Sequence, residues 1–246
     1  MTNQGCNANL PAVLLAPTEQ DCLCRQFHVV DKDGLRDTVR MKVLLMNPNA
    51  NRATTEMMCR IAAQTLGFAP EPWTARHGPD LITTPDALDL AAVGIEQADI
   101  PPGSDAVMVS AFGDPGATQL ASRIDIPVVG IGAAAARFCT GPFAVATTTP
   151  DLAPRIDRLM LQHAGEHRYL GCFLSDTDPK SLMADARALD EALLVAVGRA
   201  ASAGAEQVII GGGPLGEAAD RLSTQSPVPL VNPIRAASQE IRAFAV

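Results

Sequence analysis

From Met41 onward the chain alternates short apolar segments with alanine-rich stretches of helical period, and this alternation restricts the fold. The first apolar segment, residues 42–46, stops at Asn47-Pro48-Asn49. Continuous apolar runs of this length are typical of strands that are buried on both faces. Strands that alternate with helices predict parallel sheets covered by helices on both faces, with right-handed crossovers. We therefore predict an α/β fold.

The same pattern continues to the end of the chain. Strands are predicted at residues 42–46, 72–75, 106–109, 126–131, 143–146, 169–174, 206–210 and 229–231. Helices are predicted at residues 51–66, 86–96, 133–138, 151–163 and 179–202, with one more ending near residue 123 and two after residue 216. Gly67 supplies a stop for the first helix.

The two halves of this pattern resemble each other. Each opens with a strand that ends in a polar turn, Asn47-Pro48-Asn49 in the first half and Thr147-Thr148-Thr149 in the second. Each also has a later strand that ends in a turn containing glycine, at residues 110–116 and 211–216. Because ligands of open α/β sheets bind at the carboxyl ends of the strands, we expect the four turns to meet at one site.

Composition excludes several classes of partner. The chain has 19 Lys and Arg against 27 Asp and Glu, a formal net charge of −8, and no basic run. Nucleic acid and anionic membrane surfaces are therefore not expected as partners. No apolar stretch is long enough to span a membrane, and residues 1–9 contain no Lys or Arg, which argues against a secretory signal. We expect a cytoplasmic protein that acts on a small molecule.

Residues 1–40 differ from the rest, because they mix Asn, Gln, Asp and Cys without periodic patterning. Two interpretations stay open: a disordered extension, or a mis-assigned start with Met41 as the true initiator. Residues 41–246 are predicted to form the folded domain.

Cysteine spacing gives no metal site. The six cysteines, at positions 6, 22, 24, 59, 139 and 172, form no CxxC pair and no zinc-like pattern with histidine. Cys59, Cys139 and Cys172 lie in apolar surroundings and are predicted to be small buried hydrophobes. We therefore expect no metal.

The two polar turns suit an anionic or carbonyl ligand. Asn47 and Asn49 in the first, and Thr147 and Thr148 in the second, precede predicted helices, whose free N–H groups and dipole favour negative charge. We predict that these four side chains bind substrate. The alternative is that they are only caps and turn residues.

The two glycine-containing turns add chemistry. The first holds a hydroxyl at Ser110 and a carboxylate at Asp114. The second has three consecutive glycines, which indicate a close backbone approach, and Gly213 is predicted to contact substrate. It lacks the Lys-Ser/Thr of a phosphate-binding loop, so no nucleotide is expected.

Several linked motifs resemble the aspartate/glutamate/hydantoin racemase family, and hydantoin racemases in particular. They are Met46-Asn47-Pro48-Asn49, Phe112-Gly113-Asp114-Pro115-Gly116, and residues 127–132, 143–148 and 208–222, in the order and spacing of that family. The resemblance covers nearly all of residues 41–246. It implies two pseudo-symmetric lobes, each with a mainly parallel sheet flanked by helices, and a site in the cleft between them. A homo-oligomer is a further expectation from the resemblance.

The resemblance also implies a mechanism without a cofactor, in which one cysteine of each lobe flanks the α-carbon. One thiolate removes the proton and the opposite thiol returns it on the other face. This sequence departs from that pattern, because the two cysteine positions are occupied by Ala111 and Gly212.

Other side chains are candidates for the missing chemistry. Ser110 precedes the first vacant position, and strand alternation predicts that it faces away unless the turn breaks the alternation. A serine without a neighbouring base is a poor proton acceptor, so the alternative role for Ser110 is a hydrogen bond to substrate. Asp114 is a candidate for acid/base work, or else it caps the following helix. His77 is the histidine expected nearest the cleft.

Three hypotheses result: a cofactor-independent racemase or epimerase of an amino acid, hydantoin or related small acid; a lyase or hydrolase that stabilises an enolate or oxyanion; and a non-catalytic small-molecule binder.

Overall fold

The structure is a computed structural model, which describes residues 41–175 and 178–244. The two interpretations of residues 1–40 concern a segment that lies outside the described residues.

The first lobe contains a four-stranded sheet in which every neighbouring pair is parallel. Its strands are β1 (Val43–Asn47), β2 (Glu71–Thr74), β3 (Ala106–Val109) and β4 (Val128–Gly130), in the order β2-β1-β3-β4. Its helices are α1 (Arg52–Leu66), α2 (Pro85–Glu96), α3 (Ala117–Arg123) and α4 (Ile131–Phe138).

The second lobe repeats this arrangement with a second parallel sheet. Its strands are β5 (Phe143–Thr147), β6 (Tyr169–Leu174), β7 (Gln207–Ile210) and β8 (Leu230–Val231), in the order β6-β5-β7-β8. Its helices are α5 (Ala153–His163), α6 (Pro179–Met183), α7 (Ala186–Ser202), α8 (Gly216–Leu222) and α9 (Pro233–Ala243), with 3₁₀ turns at Pro150–Leu152 and Gly213–Leu215. The identical strand order confirms the predicted α/β fold of two similar lobes.

The side chains of the strands alternate between two layers of core. In β1, Leu45 belongs to a large apolar cluster that the two lobes share, whereas Leu44 and Met46 belong to a separate cluster of the first lobe. In β5, Val145 faces the shared cluster, and Ala144 packs in a cluster of the second lobe. Because both faces of each sheet are covered, the strands read as continuous apolar runs.

The ends of α1 follow from local sequence. The Asn51 side chain accepts a hydrogen bond from the N–H of Thr54, and Gly67 adopts the left-handed conformation that ends the helix. Both residues are common at helix ends. Asn at the start accepts from a free N–H, and glycine at the end has no Cβ to clash at positive φ. The prediction of a helix at residues 51–66 is confirmed to within one residue.

The single long helix predicted at residues 179–202 is wrong. The structure has α6 and α7 in its place, separated at Ala184 and Asp185. The Asp185 carboxylate accepts hydrogen bonds from the N–H groups of Arg187 at 2.9 Å and Ala188 at 3.2 Å. A short side chain that bonds to nearby backbone competes with continued helix, so Asp185 starts a new helix where periodicity alone predicts continuation.

Replacing this cap tests the explanation. We expect Asp185→Ala to lower the free energy of unfolding by about 1 kcal/mol, because two N–H groups of α7 lose their acceptor. Urea denaturation measures the change. Asp185→Asn is the matched control, since asparagine caps helices equally well, and an equal loss in both variants would contradict the capping role.

Candidate functional site

A cavity lies where the carboxyl ends of β1, β3, β5 and β7 meet, and both lobes line it. The first lobe contributes Asn49, Leu81, Ile82, Ser110, Ala111 and Phe112, and the second contributes Thr148, Thr149, Leu152, Ile156, Met183 and residues 211–215. The structure therefore brings together residues from all four turns that the sequence singled out.

The cavity is small and its lining carries no charge. Its volume is about 50 Å³, and one water needs roughly 10–15 Å³ on this scale. Among the described residues that line it there is no Lys, Arg, His, Asp or Glu, and the polar side chains are Asn49, Ser110, Thr148 and Thr149. Such a site suits a small ligand with one polar edge and an apolar body.

Asn47 supports the first turn from behind and does not line the cavity. Its buried side chain donates to Asn49 Oδ1 at 2.8 Å, Thr55 Oγ1 at 3.0 Å and the carbonyl of Asn51 at 3.2 Å, and it accepts from the N–H of Asn49. The structure places Asn49, two residues later, at the cavity wall. Asn47 thus orients Asn49, and its predicted contact with substrate stays a prediction.

Thr147 has the corresponding position in the second lobe. Its hydroxyl donates to the carbonyl of Gly211 at 2.7 Å and lies 3.2 Å from the hydroxyl of Thr149. Thr147 itself is fully buried, whereas Thr148 and Thr149 line the cavity. Thr147 therefore ties the turn after β5 to the glycine turn after β7, and its two successors form the cavity wall.

Ser110 lines the cavity, although strand alternation predicted that it faces away. It lies one residue beyond the end of β3, where the alternation of faces stops. Its hydroxyl is buried and has no hydrogen-bond partner within the described part of the chain. A buried polar atom without a partner is costly, which suggests that a ligand supplies one.

Backbone donors from both lobes surround the same space. The N–H groups of Ala111, Phe112, Thr148 and Thr149 have no acceptor among the residues that the structure describes. Two lie in the turn after β3 and two in the turn after β5. Groups of this kind bind carbonyl oxygen or developing negative charge.

The two vacant cysteine positions, Ala111 and Gly212, lie on this cavity. A Cβ at Gly212 would lie 2.9 Å from Leu215 Cγ and 3.0 Å from its Cδ1, which is closer than real side chains approach. Leu215 thus occupies the space that a side chain at position 212 would need.

No described cysteine replaces the missing pair, because Cys59, Cys139 and Cys172 are absent from the cavity lining. Burial raises the pKa of Cys59 to about 11 and that of Cys139 and Cys172 to about 12, so all three are neutral thiols at pH 7. Cys139 is buried and the other two are half-buried, in contact with the shared core.

Asp114 does not line the cavity. The prediction that it caps the following helix, α3, is wrong, because α3 has no side-chain cap among the described residues. The two carboxylate oxygens of Asp114 accept from the N–H groups of Gly132 at 2.7 Å and Ala133 at 2.6 Å, at the start of α4. The N-cap position of α4 is Gly130, which has no side chain. The carboxylate of Asp114, from another turn, therefore takes the capping role.

The remaining histidine candidate lies elsewhere. His77 lines a separate groove beside α2, together with Trp73 and Leu90. Within residues 41–175 and 178–244, no group of three or more His, Cys, Asp or Glu side chains is arranged to hold a metal. In the same residues, no helix combines the length and apolar character needed to cross a membrane.

Sequence reasoning missed the apolar wall of the cavity, which consists of Leu81, Ile82, Leu152, Ile156, Met183 and Leu215. Most of these residues come from loops and helices with no polar motif. Leu215 alone lies within a turn that the sequence had already marked.

Comparison with known proteins agrees with this architecture. Residues 43–241 match the family model of Asp/Glu/hydantoin racemases, so the chain belongs to that family. A hydantoin racemase from Paenarthrobacter aurescens is 28% identical over 207 residues, covering 80% of this chain and 88% of the relative.

Solved structures give the same result. The allantoin racemase from Klebsiella pneumoniae superimposes with a TM-score of 0.75 at 25% identity, over 83% of this chain and 87% of its own. That from Pseudomonas fluorescens gives 0.73 at 26% identity, over 83% and 91%. An arylmalonate decarboxylase variant, at 15% identity and a TM-score of 0.59, shares the fold.

Proposed function

We propose that this protein is a cofactor-independent racemase- or epimerase-like isomerase, which moves a proton at the carbon next to a carbonyl in a hydantoin, amino acid or related small acid. The observation that carries the proposal is the set of N–H groups without an acceptor that belong to residues of both lobes lining one small cavity. Removal of an α-proton places negative charge on the carbonyl oxygen, and fixed donors stabilise that charge without reorganising. Family membership supports the same chemistry.

The uncharged lining favours a neutral ring over a free amino acid. An amino acid would bring an ammonium group into a site where the described residues offer no carboxylate to pair with it, and desolvation of that group is costly. A hydantoin presents neutral amide groups that match Asn49, Thr148 and the backbone donors. Its ring substituent would contact Ile82, Leu152 and the other apolar side chains.

Two hydroxyls are the protic side chains nearest the vacant cysteine positions. Ser110, with its unpartnered hydroxyl, lies beside Ala111 in the first lobe, and Thr148 comes from the second. Neither hydroxyl is a strong base. The backbone N–H donors must therefore supply much of the reduction in activation energy, by stabilising the enolate and so making the substrate C–H more acidic. We propose that Ser110 relays the proton: its hydroxyl accepts the proton from the substrate carbon as its own proton passes to water in the cavity, the enolate is then reprotonated from that water, and Thr148 binds the carbonyl.

The filled space at Gly212 favours a lyase as the second candidate. Loss of carbon dioxide from a substituted malonate-type acid leaves an enolate, which then needs one proton and no base. The same donors would stabilise that enolate, and the apolar wall around Leu215 would accept the departing carbon dioxide.

Deuterium incorporation separates the hypotheses. We expect the protein to catalyse exchange at C5 of 5-isopropylhydantoin in D₂O, followed by NMR and corrected for the spontaneous rate. Release of carbon dioxide from a malonate-type acid, or ring opening of the hydantoin, without C5 exchange would favour the second candidate. A rise in melting temperature with the hydantoin but no reaction would show a binding protein and overturn the isomerase.

Thr148→Val tests the contact with the carbonyl. The substitution keeps the shape but removes the hydroxyl, so we expect affinity for 5-isopropylhydantoin to fall about 3- to 10-fold, as one hydrogen bond is lost. Calorimetry measures the change. Thr118→Val, at an exposed position of α3, is the control, and equal affinities in both variants would remove Thr148 from the binding site.

A further inference from the structure

Asp114 is held in an unusual conformation by interactions at both ends. Its φ is +49°, and it is the one non-glycine residue with positive φ within the described ranges. Such a conformation is disfavoured for a residue with a side chain, although aspartate tolerates it better than most. The structure must therefore gain from having a carboxylate at this point.

The surrounding backbone leaves room for that carboxylate and for nothing else. A Cβ at Gly130 would lie 2.2 Å from Asp114 Cγ, and one at Gly132 would lie 3.2 Å from its Oδ1. The two glycines thus allow Asp114 to reach the first N–H groups of α4. The fit requires matched residues in two separate segments, the turn after β3 and the start of α4.

The same residue closes the turn that faces the cavity. The N–H of Asp114 donates to the carbonyl of Ala111 at 3.0 Å, and its own carbonyl accepts from the N–H of Ala117 at 3.2 Å. Ala111 and Phe112, which carry the unpartnered N–H groups, lie inside this closed turn. Any rotation of Asp114 away from α4 therefore turns these two donors.

We propose that Asp114 is a positioning residue, which anchors the turn after β3 to the N-terminus of α4 and so aims the Ala111 and Phe112 N–H groups at the substrate carbonyl. It acts through the backbone and does not touch the substrate. This role differs from the acid/base role considered from the sequence, because both carboxylate oxygens already accept backbone hydrogen bonds.

Ionisation of Asp114 gives the proposal a measurable signature. Burial raises its pKa to about 6, while the N–H groups of Ala133 and Gly132 and the guanidinium of Arg137 act in the opposite direction. Arg137 of α4 is paired with Glu240 of α9 at 2.7 Å and contacts Nδ1 of His163 on α5 at 3.1 Å. Burial and the Arg137 charge lower the pKa of His163, so the charged groups nearby are Arg137 and Glu240. Protonation removes one acceptor from the start of α4.

The direction of the pH effect follows from these contacts. We expect C5 exchange of 5-isopropylhydantoin to slow as the pH falls through about 6, because the turn loses part of its anchor. Unfolding does not explain this loss of activity. Because the pKa of Asp114 is raised in the folded chain, its protonation favours the folded state.

The first experiment measures rates, and it rests on the proposed function. We expect Asp114→Asn, which tolerates positive φ, to lower kcat about 10-fold or more with a smaller change in KM, and to lose the step near pH 6. Asp114→Ala should lower kcat further. Asp185→Ala removes a comparable cap at a residue that does not line the cavity and should leave kcat unchanged. Equal kcat and an equal pH profile in Asp114→Asn and the parent would overturn the proposal.

The second experiment does not need turnover. A thiol introduced by Ala111→Cys lies next to the Phe112 N–H, and well-placed donors lower the pKa of a thiol. We expect Asp114→Asn to move the midpoint of its alkylation by iodoacetamide to higher pH by roughly one unit, with no such movement for Asp185→Ala. An unchanged midpoint would overturn the positioning role, whatever the protein does to hydantoins. A moved midpoint in a protein without C5 exchange would support it while the isomerase proposal fails.

Discussion

Ala111→Cys and Gly212→Cys, combined with Leu215→Ala, are expected to raise the racemisation rate of 5-isopropylhydantoin by about 10²- to 10⁴-fold, the usual contribution of positioned acid and base groups. The two positions lie on opposite lobes and both line the same cavity. The triple variant restores the pair of thiols that the family resemblance implies. Chiral chromatography measures the rate.

Leu215→Ala is the decisive part of this variant. A Cβ at position 212 would meet Leu215 Cγ at 2.9 Å, so the thiol of Gly212→Cys is misplaced while the leucine is present. Gly212 has an extended backbone, which any residue adopts, so no backbone strain opposes the change. We expect the two cysteines without Leu215→Ala to give a much smaller increase, and Leu215→Ala alone to give none. Equal rates for the double and triple variants would contradict the steric argument.

Asn47→Ala is expected to lower the free energy of unfolding by about 1–3 kcal/mol, because it removes the four hydrogen bonds of this buried side chain and leaves the N–H of Asn49 without its acceptor. The three groups that accept from the Asn47 side chain keep other partners within the turn, α1 and β2, so the loss comes mainly from Asn49. Urea denaturation measures the loss.

The outcome also distinguishes the two roles considered for Asn47. Thr54→Ala, a neighbouring change on the first turn of α1 that leaves the Asn47 hydrogen bonds in place, is the stability control. If Asn47→Ala keeps the parent stability and loses only affinity for the hydantoin, the side chain binds substrate directly, as the sequence predicted. Loss of stability first supports the role that its hydrogen bonds indicate.

The fold could be predicted from sequence because strands buried on both faces of a sheet are recognisable as apolar runs. Strands such as β3 are uninterrupted apolar runs, and α1 has a cap and a glycine stop. The error at residues 179–202 arose because α6 and α7 share one helical period across the break. A single hydrogen-bonding side chain, that of Asp185, separates the two helices, and apolar periodicity does not detect such a cap.

The site was predictable only to the level of turns. The carboxyl ends of the strands in a parallel sheet lie at the same edge, and this identified the four turns. Within a turn there is no period, so the sequence did not separate Asn47 from Asn49, or Thr147 from Thr148. The partner of Asp114 was also out of reach, because it lies on α4, beyond a further helix and strand. Apolar contributors such as Ile82 and Met183 carry no chemical signal.

The apolar cluster shared by the two lobes has a consequence for how substrate enters. Residues of both sheets pack in it, Leu45 and Val145 among them, and α9 of the second lobe lies against α1 and α4 of the first. Swinging the lobes apart would expose this interior to water, at a cost that a small ligand does not repay. Ile82 and Met183 line the cavity and reach solvent. We therefore expect entry and exit to depend on local movements there, and the rate of product release to respond to substitutions of these residues more than to any change in the packing between lobes.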